Sequence, residues 1–223
     1  ALTNKVIPNS LENKILVGLR ENGQMLYSEA EIVELRSNVK IDRIYLLDNP
    51  PNKEFFDSLT FEEKKNYLEI HDSYVEITES ASRAIKDSDI IIYAPGTQHS
   101  SLYPTYFTKG VSEAIKKSNA LKVFVTNIGA DYETPTYKAS DYIKGAFRYL
   151  SVFNKDDSLK DFFDINLVNE SSNKSSDSYV EIDKSVLKDT MIDTRFDNFE
   201  MEKSPGKHDG AKVINHILDI YKS

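Results

Sequence analysis

A chain of 223 residues with 39% hydrophobic content can bury a real core, and its length suits one large domain or two small ones. Its net charge of −8, with no long Lys/Arg cluster, argues against a protein that wraps DNA or RNA, and no apolar run is long enough to span a bilayer. The absence of cysteine excludes a disulfide framework, a thiolate nucleophile and a cysteine-based zinc site. Ala1-Leu-Thr-Asn-Lys5 lacks the charged-then-apolar layout of a secretory signal, and the lack of cysteine fits the expected setting, a reducing cytoplasm.

Residues 1–50 read as β-rich. In Lys14 to Arg20, Ile15, Val17 and Leu19 share one face, and Asn22-Gly23 favours a tight turn with positive φ. A return strand is expected over Gln24 to Glu34, and a third over Ile41 to Leu47, ended by Asn49-Pro50-Pro51. The charged segment Phe61 to Leu68 predicts a short exposed helix or an insertion without a function.

From residue 78 the pattern changes to alternating helices and strands, giving an αβ core over 78–223. A helix over Glu79 to Lys86 carries the apolar stripe Ala81, Ala84 and Ile85. The run Asp89 to Ala94 is a strand, Gly110 to Lys117 a helix, and Leu121 to Asn127 a second strand. Continuous apolar runs separated by helices predict parallel strands buried on both faces, so the expected fold is α/β, a Rossmann-like doubly wound, mostly parallel sheet. A helix over Ala139 to Val152 and a strand within Phe163 to Val168 follow. Asn169 to Ser178 is polar and reads as a connecting loop; a last helix over Ala211 to Tyr221 has Val213, Ile214, Ile217, Leu218 and Tyr221 as its expected buried stripe, with Asp209 as cap. The whole chain reads as a single α/β domain.

Chemistry concentrates where the first of these strands ends at Pro95-Gly96 and opens into Thr97-Gln-His-Ser-Ser101. A small-residue loop leading into a helix N-terminus offers unpaired backbone N–H groups and a positive dipole end, which suit phosphate. In an open α/β sheet ligands settle beyond the carboxyl ends of strands, so Gly96, Thr97, Ser100 and Ser101 are the candidate phosphate ligands, and Asn127 joins them from the next strand end. His99 is a candidate acid or base, with a solvated or backbone-bonded ring as the competing reading. Asp131, Glu133 and Asp141 are hard oxygen ligands of the kind that hold Mg²⁺ beside a diphosphate, although Asp141 also fits a first-turn helix acid, and for Asp131 a purely structural role is the better reading. In Ser204-Pro-Gly-Lys-His-Asp-Gly210 the spacing of a phosphate loop fails, leaving a cap and turn from which Lys207 and His208 reach an anion only from the side.

Ser88 to Gly96, Ser101-Leu-Tyr-Pro104, Lys109-Gly110 with Glu113-Ala-Ile115, Lys122 to Asn127 and Ala139-Ser-Asp141 resemble, in order and spacing, the family of 2-phospho-L-lactate transferases and related gluconeogenesis-factor proteins. Leu16 to Gly23 and Ser28 to Ile32 resemble the segment that precedes this core. The resemblance implies a Rossmann-type nucleotide binder that handles a nucleotide-activated phosphorylated substrate with Mg²⁺, or alternatively a non-catalytic nucleotide-sugar binder that regulates carbon use or cell-wall synthesis. It places Gly96, Thr97, Ser100 and Ser101 in the phosphate region, Asn127 in the adjoining loop, and Asp141 at the Ala-Ser-Asp helix start; His99 and Asp141 are the candidate catalytic residues. Two departures stand out: Thr97-Gln-His99 lengthens one loop, and Ala130 to Thr134 keeps only Glu133-Thr134 of the family's Gln-Pro-Gly-Glu-Thr. Family members also carry a glycine-rich strand–turn–helix upstream of this region, so the chain is expected to be the C-terminal portion of a larger protein, partnered by that half or by a second copy.

Overall fold

The computed structural model describes residues 6–170 and 179–223. The connecting-loop reading of Asn169 to Ser178 falls almost wholly on residues outside that set.

Two sheets share one layer of helices. β1 (Ile15–Arg20) pairs antiparallel with β2 (Met25–Leu26) and, along its whole length, with β3 (Ile41–Leu47). Gly23 takes the turn at φ 83°, as the Asn-Gly pair predicts. The return strand is far shorter than expected, because Ser28 starts a helix instead. Its hydroxyl accepts from the Glu31 amide while the Glu31 carboxylate accepts from the Tyr27 amide, and this reciprocal capping launches α1 (Glu29–Glu34).

α2 (Lys53–Asp57) and α3 (Phe61–His71) correct the expectation of an idle, exposed segment. Phe56 and Leu68 are fully buried against Val17, Leu19, Met25, Tyr45 and Leu47, so the charged stretch lids the outer face of the first sheet. The inner face, with Leu26, Ile44 and Leu46, packs on the shared helical layer. There the buried Tyr149 hydroxyl accepts from the Ile44 amide at 3.0 Å, tying the layer to β3.

α4 (Glu79–Lys86), capped by Thr78, leads into β4 (Ile90–Tyr93). After a π-helical turn over Gln98–Leu102 come α5 (Tyr103–Tyr106), α6 (Val111–Lys116) and β5 (Leu121–Val125), then α7 (Ala139–Leu150), α8 (Leu159–Phe162), β6 (Ile165–Asn169), α9 (Lys184–Asp189) and β7 (Asp193–Asp197). The four strands are parallel, in the order β4-β5-β6-β7. Tyr93, Phe124 and Val168 face the helices α5 to α9, while Val123, Val125, Ile165 and Leu167 face the other way. That second face is covered after a hairpin of β8 (Glu200–Met201) and β9 (Ser204–His208) by α10 (Gly210–Lys222).

The buried stripe of α10 is narrower than its sequence suggests: Val213 and Ile217 are buried, whereas Ile214, Leu218 and Tyr221 are exposed. α10 packs over β5 and β6, and Ile92 on β4 stays exposed on the same side.

α5 and α7 pack closely enough to exclude a side chain at Gly145, where an added Cβ would sit 2.1 Å from the Tyr103 hydroxyl. Alanine normally improves a helix interior by about 1 kcal/mol over glycine, but overpacking a core costs about 1–3 kcal/mol. Tyr103 is buried and stacked on Tyr149 at 4.5 Å, so it cannot swing aside. Gly145→Ala should therefore lower the urea midpoint; a raised midpoint would show that the tyrosine relaxes freely.

Candidate functional site

The parallel pairing of β4 and β5 brings their carboxyl ends side by side, and the loops beyond them are locked together. The Gly96 amide donates to Asn127 Oδ1 at 3.1 Å, and Asn127 Nδ2 donates back to the Gly96 carbonyl at 2.9 Å. A side-chain amide fits here because it carries a donor and an acceptor next to each other on one planar group, matching the N–H and C=O of a single residue.

The β8–β9 hairpin then folds over this junction. His208 Nε2 donates to the Thr126 carbonyl at 3.1 Å, and the Gly206 amide donates to Glu200 Oε1 at 2.6 Å. Gly206 has φ 82°, and a Cβ added there would lie 3.9 Å from the Gly129 Cα. The result is an open crevice of about 290 Å³ walled by Gly96, Gly129, Gly206, Asn127, Lys207 and His208 together with Pro95 and Ile128. Lys207 is exposed and has no acidic partner among the described residues. Burial pushes the His208 pKa below its ordinary 6.5, so the ring is neutral at pH 7 with Nδ1 as its open position. The turn that the sequence offers only as a cap thus brings a cation and Gly206 against Gly96 and Gly129.

The hydroxyl-rich turn behaves differently from expectation. The amides of His99 and Ser100 donate to Glu133 Oε2 at 2.8 and 3.0 Å, and the Ser100 hydroxyl donates to Oε1 at 2.5 Å. The anion at this turn is the chain's own carboxylate. Glu133 is buried, and desolvation holds its pKa above the ordinary carboxylate range against the pull of the Ser100 and His99 hydrogen bonds. Thr97 and Ser101 share a hydrogen bond of 2.7 Å, with Ser101 exposed.

His99 does not sit in a solvated loop. Its ring is 1% exposed, edge-on to Tyr103 and Tyr137, and its Nδ1 has no partner. Desolvation first, then the nearby Arg148 and Arg20 charges, lower its pKa to about 3, so it carries no proton to give near neutrality.

Asp141 lies elsewhere. It caps the first turn of α7 by accepting from the Lys138 amide, and it pairs with Lys40 at 3.3 Å. Its cleft of about 200 Å³, with Glu21, Asp42, Lys144 and Arg148, shares no lining residue with the glycine crevice. Asp131 Oδ1 accepts from the amides of Glu133 and Thr134, an ordinary turn cap. With Glu133 and Asp131 committed to backbone amides and Asp141 in another cleft, these three acids do not fit a shared Mg²⁺ site, and no cluster of three or more metal-binding side chains exists among the described residues.

Comparison with known proteins places this geometry in context. The family profile described as 2-phospho-L-lactate transferase CofD matches residues 1–214. A putative gluconeogenesis factor of Thermotoga maritima is 29% identical over 99% of this chain and 63% of its own length, and a gluconeogenesis factor of Halalkalibacterium halodurans is 28% identical over 96% and 60%. A solved Bacillus halodurans structure of the UPF0052 family superposes with a TM-score of 0.72 at 25% identity, covering 96% of this chain and 61% of that one. The chain therefore spans about three fifths of the length of these relatives. Among the described residues no helix is long and apolar enough to cross a membrane.

Proposed function

The chain belongs to the 2-phospho-L-lactate transferase CofD family, and from that premise we propose that it forms one wall of a crevice for a nucleoside diphosphate or another phosphorylated small molecule. The observation that carries the reading is the convergence of Gly96, Gly129 and Gly206 with Lys207 around the Asn127 clamp, at the carboxyl ends of parallel strands. Glycine walls let an anion approach the backbone, and an unpaired lysine supplies the counter-charge. Thr97 and Ser101 extend the polar rim; Ser100 contributes through Glu133, by holding the turn in place. In this reading His99 is a positioning residue, since its ring is neutral and enclosed. Catalysis, where it occurs, is orientation and charge stabilisation.

A second reading, a nucleotide-sugar sensor without turnover, is favoured by one feature: the acids named from the sequence are all engaged by backbone amides or a lysine, so none stands ready as a base at the crevice. Calorimetric titration with pyrophosphate, GDP, UDP and a UDP-linked sugar, followed by a search for product, separates the two. Lys207→Ala should weaken pyrophosphate and GDP binding by about 10- to 100-fold, the range of a lost charge-assisted hydrogen bond, with the unfolding midpoint unchanged. Unaltered affinity would remove the crevice from consideration.

A further inference from the structure

The phosphate reading leaves the Asp141 cleft without a role. The cleft lies at the seam between the first sheet and the helical layer: Glu21, Lys40 and Asp42, from the end of β1 and the start of β3, form one wall, and Asp141, Lys144 and Arg148 of α7 form the other. Two ion pairs cross it. Lys40 meets Asp141 at 3.3 Å, while Arg148 donates to the Asp42 carbonyl at 2.6 Å and approaches Asp42 Oδ1 at 3.5 Å. Lys65 of α3, which is not part of the lining, comes within 3.7 Å of the Asp42 carboxylate. That leaves Glu21 on the sheet wall and Lys144 on the helix wall, both exposed and neither with an ion-pair partner among the described residues.

Two further groups around the cleft make no hydrogen bond. Tyr103 is 1% exposed, and its unpartnered hydroxyl lies directly behind Gly145, the point of the lining that has no side chain, where an added Cβ would meet it at 2.1 Å. Asp42 Oδ2 is buried and likewise accepts no hydrogen bond. Buried polar atoms are nearly always bonded, so a spare hydroxyl behind one wall and a spare carboxylate oxygen in the other are points where a ligand gains hydrogen bonds that the chain itself does not make.

The balance of charge decides the ligand class. A simple anion would be drawn to Lys144 but would face the carboxylates of Glu21, Asp42 and Asp141, and a simple amine would face Lys40, Lys144 and Arg148. A molecule that carries both charges a short distance apart answers Glu21 and Lys144 together. A volume of about 200 Å³ is below the range of drug-sized pockets and suits a small metabolite.

We propose that this cleft binds a free α-amino acid, its carboxylate held by Lys144 and by the Tyr103 hydroxyl at the Gly145 gap, and its ammonium group held by Glu21 and Asp42 Oδ2. The site is separate from the glycine crevice and stands independently of the phosphate reading.

Calorimetry on the intact chain with the common L-amino acids, one at a time, tests it. The tightest binder is then compared with two analogues that each lack one charge: the 2-hydroxy acid, without the ammonium group, and the amine, without the carboxylate. At least one amino acid should bind, and both analogues should bind at least about ten-fold more weakly, the scale of a lost charge-assisted hydrogen bond. Glu21→Gln and Lys144→Met are exposed substitutions that should leave the unfolding midpoint in place and each weaken the amino acid by about ten-fold. Tyr103→Phe removes a hydroxyl that bonds nothing in the free chain, so it should weaken binding without lowering the midpoint. The proposal is overturned if no amino acid binds, if either analogue matches its parent, or if any of the three variants binds as tightly as the wild type; the cleft would then be an ion-paired seam between β3 and α7.

Discussion

Glu133→Ala is expected to lower the unfolding free energy by roughly 2–4 kcal/mol, the scale set by orphaning buried donors at about 1–3 kcal/mol each, less what is regained by no longer burying a carboxylate. Three hydrogen bonds are lost together: the amides of His99 and Ser100 are left without an acceptor, and the Ser100 hydroxyl keeps only its bond to Thr97 Oγ1 at 3.2 Å. The buried His99 amide cannot turn to water, so its loss is felt in full. Part of the cost is offset because desolvation already disfavours the ionised Glu133, as its raised pKa records. Glu133→Gln should recover about half, since its carbonyl oxygen accepts while its amide nitrogen meets donors. Urea unfolding at constant m-value gives the energies, and hydrogen exchange at the His99 amide localises them. A Glu133→Ala protein as stable as the wild type would mean that the desolvation cost cancels all three hydrogen bonds, and that the π-helical turn is held by its packing alone.

The same residue shows where a sequence stops being legible. The parallel strands were readable because Ile90 to Tyr93 and Leu121 to Val125 are continuous apolar runs, although of the two only β5 is covered on both faces and Ile92 on the edge strand β4 stays exposed. β7 was not readable, because Asp193-Thr-Arg-Phe-Asp197 is an edge strand whose exposed positions are charged and whose inward Thr194 and Phe196 are too few to show a period. The Ser28 and Glu31 pair was a visible helix signal, and it outweighed the β-like composition of Gln24 to Glu34. For the site, the convergence of Gly96 with Asn127 followed from strand order, but the arrival of Gly206 and Lys207 depends on a hairpin about eighty residues later in the chain, at a contact no local pattern encodes. Glu133 was visible as an acid, yet whether it meets a metal or a backbone amide is decided by the three-dimensional path of two loops.

Acid should destabilise this protein through His99, by up to about 4–5 kcal/mol at roughly 1.4 kcal/mol per unit of pKa difference. The folded-state pKa of about 3 lies below the ordinary 6.5, because burial among Tyr103 and Tyr137 and the nearby Arg148 and Arg20 charges disfavour the imidazolium. Between those two values the unfolded chain binds a proton that the folded chain refuses, so the contribution is absent above pH 6.5 and the penalty grows steadily as pH falls towards 3. His208, also lowered, acts in the same direction, whereas Glu133, Asp131 and Asp72, whose raised values favour the protonated folded state, oppose it in the carboxylate range. The comparison that isolates His99 is therefore His99→Phe, which keeps an aromatic ring between Tyr103 and Tyr137, leaves the backbone donor to Glu133 in place and removes the unpaired Nδ1. At pH 7.5 this variant should match the wild type within about 1 kcal/mol, as expected for a near-isosteric core change. From pH 6.5 to 4.5 the stability difference should move in favour of the variant by about 1–1.4 kcal/mol per pH unit in urea titrations. Parallel curves for the two proteins across that window would show that the His99 ring takes up its proton in the folded state, and so reaches solvent after all.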